Sequence, residues 1–472
     1  MNLRPLAAAA LAACLLVLAA PGRAEWLRAE SPNFIVYSEA RESRVREQVA
    51  QLEDFDRLLR FLSGTTAPPV ASKLNVYFVR GNAGLSAIRP VGSGIAGFYI
   101  ASPEGVLAAI DETAKITGES NYDTLFHEYA HHFMLQYHPA AYPPWYVEGF
   151  AEYAATARIL PNRMEFGHYN PGRAWALSQR QDWLPWERIL FPEPNRRMTG
   201  EEVARFYAQS WLLVHYLVRD EGRRQRLRSY FAALGRGEEP RQAFAAAFGT
   251  SMADLNRALH RYPDEMTFTR GSRAAAAEAP PVTITRMPAS ADDLLLAQAA
   301  LKAGVPQRLR ETFMARVRRH GARHGDPFAK RVLAHAEILY GNPAAAEPLL
   351  AALLQAAPGD AELLYLRGMR HLVAGNADAA RRAEEYRLAQ PWFVRAHRAN
   401  ENHYPSLYRY AQSLSGERRF VSENTQNVLL LAAHLAPQVQ EIRLAAARML
   451  LRRDRFEDAE LMLRPLAASA HA

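Results

Sequence analysis

The chain has 472 residues, of which 49% are hydrophobic and 22% charged, and this composition excludes a disordered protein. A single core rarely grows to this length, so the length predicts two domains. The formal net charge is +8, but it comes mainly from arginines spread along the chain, a pattern that does not favour nucleic-acid binding.

The first 24 residues differ in composition from the rest of the chain. Arg4 supplies a positive charge, residues 6–20 are an unbroken apolar run, and small residues precede Glu25. This pattern predicts a secretory signal peptide at 1–24, and its apolar run is too short for a permanent membrane span. The mature protein is therefore expected in the periplasm or secreted. As an alternative, the residues up to Cys14 resemble a lipobox, which predicts a lipoprotein anchored at Cys14.

Residues 25–270 are predicted to form one α+β domain, with a small N-terminal sheet and a helical remainder. Apolar periodicity and β-branched runs define its elements. The predicted elements are strands at 33–37 and 74–79, a helix at 44–62, a hairpin with arms at 97–100 and 106–110, and helices from 122 to about 262. The first arm of the hairpin is a candidate edge strand for an extended peptide.

The remaining chain is predicted to hold a linker and a set of repeats. Residues 271–292 contain four consecutive alanines and two adjacent prolines, which favours a linker. Residues 293–472 are helical, and the Gly-Asn pair at Gly341 recurs 34 residues later at Gly375. The segment 363–380 resembles a tetratricopeptide repeat, with Gly368 and Ala379 predicted where two helices touch. Such repeats stack into an all-α solenoid that can bind a protein partner.

The most informative motif is His-Glu-x-x-His at 127–131. Its two histidines are one helical turn apart on one face, so both imidazoles can reach one ion. The segment 145–153 predicts a second helix, with Glu148 and Glu152 one turn apart among apolar residues. Two buried carboxylates repel each other unless a cation lies nearby, so the pattern indicates a metal site that uses one of them.

These two segments together resemble the gluzincin peptidases, and more narrowly the bacterial peptidase-MA-like family. The resemblance covers roughly residues 26–262, and members of that family often carry tetratricopeptide repeats. It implies a zincin-like fold for this part of the chain. It also implies one zinc ion per chain, held by His127, His131 and Glu148.

The resemblance implies roles for three further residues. Glu128 is the expected general base, and Glu152 the expected partner of a ligand histidine, or a fallback metal ligand. Tyr207, in a Tyr-Ala-Gln-Ser segment, is the candidate for stabilising the oxyanion, with a packed core tyrosine as the alternative. His132 and His138 fall out of register with the motif and are predicted bystanders.

The predicted function is that of an exported zinc metallopeptidase acting on peptides or proteins. One alternative is an envelope scaffold that binds proteins through its repeats and keeps a silent zinc module. Glu128 argues against it, because a structural zinc site gains nothing from a base beside its ligand. A second alternative is zinc-dependent hydrolysis of a non-peptide amide. Removing the repeats from about Asp292 onward is expected to leave short-peptide hydrolysis largely intact while weakening action on a native protein partner.

Overall fold

The computed structural model describes the chain in ten stretches. They are residues 26–70, 72–92, 94–114, 121–140, 142–160, 162–169, 171–193, 196–272, 280–415 and 421–467. The predicted signal peptide at 1–24, including Cys14, lies outside the described residues. The described chain is mostly helical with a small N-terminal sheet, and none of its helices is long and apolar enough to cross a bilayer.

The described strands form two sheets. The strands are β1 (Leu27–Glu30), β2 (Phe34–Ser38), β3 (Leu74–Val79), β4 (Gly97–Ser102), β5 (Gly105–Asp111), β6 (Arg158–Ile159), β7 (Arg163–Phe166), β8 (Thr269–Ser272) and β9 (Thr283–Arg286). The larger sheet has the order β4-β5-β3-β2-β1-β9, and the smaller joins β6, β7 and β8. Only the β2–β3 and β3–β5 pairs are parallel. Consequently β4 lies at one edge of the larger sheet.

The predicted strands are confirmed, and several strands were missed. The predicted strand at 74–79 is β3, the one at 33–37 is β2 displaced by one residue, and the predicted hairpin is β4–β5. The prediction of almost only helices after 122 is wrong at β6 and β7. The segment 271–292 contributes β9, which pairs along its whole length with β1.

Helices cover both faces of the larger sheet and continue beyond it. The first ten are α1 (Glu42–Ser63), α2 (Gly81–Ile88), α3 (Asn121–Tyr137), α4 (Pro144–Ala155), α5 (Pro171–Ser178), α6 (Trp186–Leu190), α7 (Gly200–Val218), α8 (Glu221–Gly235), α9 (Pro240–Phe248) and α10 (Met252–Arg261). We call the next ten the repeat array. They are α11 (Ala291–Ala303), α12 (Arg310–Gly321), α13 (Pro327–Tyr340), α14 (Glu347–Ala356), α15 (Ala361–Ala377), α16 (Arg382–Ala399), α17 (Tyr404–Ser413), α18 (Glu423–Leu435), α19 (Gln440–Leu451) and α20 (Phe456–Ala467).

The sheet is buried on both faces because successive residues of a strand point to opposite sides. Val76 and Ala108 face the core that contains α1 and α3. Their neighbours Tyr77 and Leu107 face a second core, which contains α2 and α11. This sandwich fixes α3, and therefore the motif at 127–131, against the sheet.

The repeat array shares its core with the first half of the chain. Leu295 of α11 packs on the sheet, whereas the adjacent Leu294 packs on α12 and α13. Further along, Leu407 and Leu429 of α17 and α18 belong to the same core as α1, α3 and α4. The array therefore packs directly against the first half of the chain, at its beginning and again further along.

The repeat spacing is visible in the helices. Asp326 and Asp360, 34 residues apart, cap α13 and α15 by accepting from the amides of Ala329 and Leu363. Gly368 allows α15 to approach α16, since a Cβ there would lie 2.6 Å from the Phe393 ring. The same prediction for Ala379 is wrong, because Ala379 is exposed in the turn between these helices.

Candidate metal centre

Two helices, α3 and α4, bring the candidate ligands together. On α3, Phe126, Ala130 and Phe133 are buried against the core and turn the other face towards α4. Pro144 begins α4, where a proline needs no amide partner. Gly149 lets α4 lie close to α7, because a Cβ at this position would collide with the Ser210 carbonyl.

The resulting cluster consists of His127, His131 and Glu148, with one ligand atom of each within 4.8 Å of the others. The two histidine Nε2 atoms are 3.0 Å apart. Glu148 Oε2 lies 3.4 Å from His127 Nε2 and 3.5 Å from His131 Nε2. Ligands about 2.0–2.1 Å from a tetrahedral ion are separated by about 3.3 Å, so these three residues fit a metal ion.

The electrostatics of the cluster also favour a cation. Glu148 is fully buried, and Glu152 is 3% exposed. Burial lowers the pKa of His127, but the hydrogen bond with Glu148 and the charges of Glu152 and Glu128 outweigh it and raise that pKa to about 9. The negative potential that retains a proton on His127 is the potential that a bound cation would feel.

Glu152 lies on the outer side of the cluster. Its Oε1 is 3.4 Å from His127 Nδ1, the nitrogen that faces away from Glu148. Arg173 of α5 donates two hydrogen bonds to the same carboxylate, at 3.0 and 2.6 Å. Such a bidentate pair fixes the carboxylate in orientation. Glu152 can therefore hold the imidazole of His127 in place while Nε2 faces the cluster.

Arg173 is a site residue that the sequence analysis missed. It follows Glu152 by 21 positions and belongs to no periodic pattern. Its guanidinium also lies 5.2 Å from the centre of the Tyr207 ring, so it links two elements of the site. Only the placement of α5 in three dimensions reveals this contact.

The structure also places Glu128 and Tyr207 at the cluster. Glu128 is half-buried beside His127, and the Tyr207 ring is centred 6.1 Å from the His127 ring. Burial and the charges of Glu148, Glu152 and Glu128 raise the pKa of Tyr207. Its phenol therefore stays protonated at neutral pH and remains a hydrogen-bond donor.

The predicted bystanders point elsewhere. His132 Nδ1 lies 3.0 Å from the Tyr99 hydroxyl, and burial lowers the pKa of His132 to about 4. His138 Nε2 lies 2.6 Å from Thr65 Oγ1. The contact of His132 joins α3 to the edge strand β4, so it positions the strand rather than an ion.

Comparison with known proteins adds little. No protein-family model matches the chain, and no curated protein matches it. Among solved structures, the chain is similar to one described as the MamA RS-1 ArsTM double mutant, with a TM-score of 0.28 and 17% sequence identity. The match covers 39% of this chain and 96% of that one.

Proposed function

We propose that the protein is an exported zinc metallopeptidase of the gluzincin type, with a zincin-like first half. The observation that carries the proposal is the buried cluster of His127, His131 and Glu148, with spacings that fit a tetrahedral ion. Two imidazoles and one carboxylate are the protein ligands of several catalytic zinc sites. Export rests on the signal peptide predicted at 1–24.

The chemistry follows from the residues around the ion. Zinc with three protein ligands supplies an open position where the pKa of bound water falls to near 7. Glu128, next to His127 in sequence but outside the ligand cluster, would act as the general base that takes a proton from the attacking water and delivers it to the leaving amine. Tyr207 donates its hydroxyl proton in a hydrogen bond to the developing oxyanion.

The outer residues keep the ligands in their working state. His127 Nδ1–H would donate to Glu152 and so leave the Nε2 lone pair for a zinc ion. Arg173 neutralises Glu152 and prevents it from competing as a ligand. The site contains three carboxylates, of Glu128, Glu148 and Glu152, and one guanidinium, so a divalent cation would balance the two remaining negative charges.

The edge strand β4 favours a peptide substrate over a small amide. It runs beside α3, where Gly97 is so close that a Cβ would lie 3.3 Å from Thr124 Cγ2. An extended peptide can add to such an edge through backbone hydrogen bonds. A peptide added there would run beside α3, the helix that carries His127 and His131.

The test replaces Glu128 with glutamine. Because glutamine preserves shape but not basicity, Glu128→Gln should bind about one zinc per chain and fold normally, while turnover falls by about 10²–10⁴-fold. Wild type, Glu128→Gln and the control Glu47→Gln, whose side chain is 62% exposed on α1, are incubated with a peptide library and compared by new termini. Identical profiles for all three, with zinc bound, would contradict the peptidase.

The scaffold is the second candidate, and one observation favours it. The last helices of the array expose large apolar side chains, including Phe456 at 62% and Leu461 at 63%. Exposed apolar residues at the end of a repeat array are suited to a protein partner. If Glu128→Gln and wild type do not differ, the double substitution of Phe456 and Leu461 by serine should abolish partner binding.

A further inference from the structure

We propose that the repeat array positions the edge strand of the peptidase, by holding the turn of the β4–β5 hairpin through Glu104. The inference rests on the proposed function, because it assigns β4 the role of aligning the substrate. Tyr365, Tyr404 and Arg409 of the array are then positioning residues for a site they do not touch.

The turn inserts into the array through the Glu104 carboxylate. The Tyr365 hydroxyl donates to Glu104 Oε2 at 2.7 Å, and the Arg409 guanidinium pairs with Oε1. The side chains of Glu104 and Arg409 are 11% and 18% exposed. Two helices of the array, α15 and α17, therefore hold the same carboxylate away from solvent, where an ion pair is strongly directional.

The backbone at the start of the turn is held as well. The Tyr404 hydroxyl donates to the Ser102 carbonyl at 3.0 Å, and Ser102 Oγ donates to the Lys302 carbonyl at 2.6 Å. A Cβ at Gly105 would lie 3.2 Å from the Lys302 side chain, so the turn also fits closely against α11. Contacts from three helices fix the turn in all directions.

A second layer of charge supports the first. His403 Nε2 lies 3.2 Å from Glu362 Oε2, and Lys302 stabilises the same carboxylate by its charge. Burial raises the pKa of Glu104, but the charge of Arg409 and the hydrogen bonds of Tyr365 and Arg409 outweigh it and hold that pKa below its ordinary value. Glu104 and Glu362 are thus balanced by Arg409 and Lys302 without a metal ion.

The held turn is one end of the strand that borders the metal centre. The other end is fixed at Gly97, and the middle by the contact between Tyr99 and His132 of α3. An active site needs its groups held to within about 0.5 Å. Since β4 pairs on one side only, with β5, an anchored turn adds to the precision with which the strand is held.

The anchor predicts a selective kinetic defect. A loosened turn leaves the metal ligands and Glu128 in place, so the chemical step should persist. It should weaken binding of peptides long enough to pair along β4, and affect short peptides less. A raised KM with an unchanged kcat is the signature of lost binding rather than lost chemistry.

The experiment compares Tyr365→Phe with a matched control. Tyr386→Phe removes a hydroxyl that donates to Asn376 within the array and not to the hairpin. On an extended peptide cleaved by wild type, Tyr365→Phe should raise KM about 3–10-fold, because only part of the free energy of one hydrogen bond to a charged group is lost from peptide binding, with kcat and zinc content unchanged. A shortened version of that peptide should show a clearly smaller rise. Tyr386→Phe should match wild type on both.

Hydrogen exchange separates this inference from the peptidase proposal. In Tyr365→Phe, amides of residues 97–111 should exchange faster than in wild type or Tyr386→Phe. Unchanged exchange in the hairpin, or an equal rise of KM on long and short peptides, overturns the anchor. If wild type cleaves no peptide, the proposed function fails, and the exchange result alone decides whether the array holds the hairpin.

Discussion

The protein buries carboxylates in two regions, and the partners of those carboxylates differ. Around the hairpin turn, Glu104 and Glu362 lie near Arg409 and Lys302, side chains that are positively charged at neutral pH. In the candidate metal centre, Glu148 is fully buried between His127 and His131, whose charge depends on protonation. Both regions bury carboxylates away from water. Only the region around the hairpin turn has enough permanently positive side chains to neutralise its carboxylates.

The difference separates a structural network from a site prepared for an ion. A buried ion network with balanced charge rigidifies the parts that it joins. A cluster with excess negative charge and facing nitrogen and oxygen atoms gains from a cation instead. The excess of negative charge in the cluster therefore supports a metal site. This support is independent of helix periodicity and of burial.

Removing the repeat array should have the largest effect on the difference between the two regions. Deletion from Asp292 onward takes away Arg409 and the α11 face that covers Tyr77 and Leu107 of the sheet. The shared core therefore leads us to expect an insoluble or unfolded protein, unlike the independent domains that the sequence suggested. Soluble yield and circular dichroism measure this. A folded truncation that binds zinc would show that the anchor is dispensable.

The second-largest expected effect is the loss of bound metal. Glu148→Ala should reduce bound zinc from about one per chain to near zero, because two imidazoles alone make a weak site. Glu104→Ala, the matched removal of a buried carboxylate from the balanced region, should leave zinc content unchanged. Metal analysis after gel filtration measures both variants. Equal zinc loss in the two variants would erase the distinction between the regions.

Breaking the charge-balanced network around Glu104 should lower the stability of the fold rather than the metal content. Arg409→Gln leaves Glu104 without its nearest cation and should lower the free energy of unfolding by about 3–5 kcal/mol. The control Arg46→Gln breaks the pair with Glu42 on α1, where the two side chains are 51% and 59% exposed, and should cost less than about 1 kcal/mol. Urea unfolding at neutral pH compares the variants.

The same network predicts how the difference in unfolding free energy between wild type and Arg409→Gln changes with pH. The pKa of Glu104 is lowered, so its stabilising contribution is present above the ordinary value and is lost as pH falls through the folded-state value. The stability difference between wild type and Arg409→Gln should therefore shrink in acid. A difference that stays constant down to pH values below both pKa values would contradict the ion pair.

The smallest effect concerns the carboxylate that borders the metal centre. Glu152→Gln should weaken zinc binding about 10–100-fold, because it loosens the His127 imidazole without removing a ligand. Glu165→Gln, which alters a buried carboxylate paired with Arg163 outside the cluster, should not change zinc affinity. Competition with a chelator measures this. If Glu152→Gln lost all zinc and Glu148→Ala kept it, Glu152 would be the ligand.

The sequence contained the strongest parts of the site because they are local. His127 and His131, like Glu148 and Glu152, are one helical turn apart, and helix periodicity alone places each pair on one face. Arg173 left no such signal, since its contact with Glu152 depends on where α5 packs. The same applies to β9, whose short, mostly exposed strand has no apolar run to mark it.

The joining of the two halves was also out of reach of the sequence. Apolar periodicity predicts that one face of α11 or α17 is buried, but it does not identify the surface that buries it. Glu104 illustrates the limit, because a single acidic residue in a two-residue turn normally indicates solvent. Its partners Tyr365 and Arg409 are encoded on helices far along the chain.

The long-range contacts of the hairpin turn have a consequence for the order in which the fold is completed. Glu104 meets Tyr365 and Arg409 across 261 and 305 positions of the chain. Contacts between residues so far apart in the chain form late in folding. The entropy cost of closing a long loop must be met before the contact stabilises the fold. The edge strand is thus fixed only after α17 has been synthesised and docked. A nascent chain lacks that alignment, so the proposed peptidase activity would begin only once the whole chain has folded.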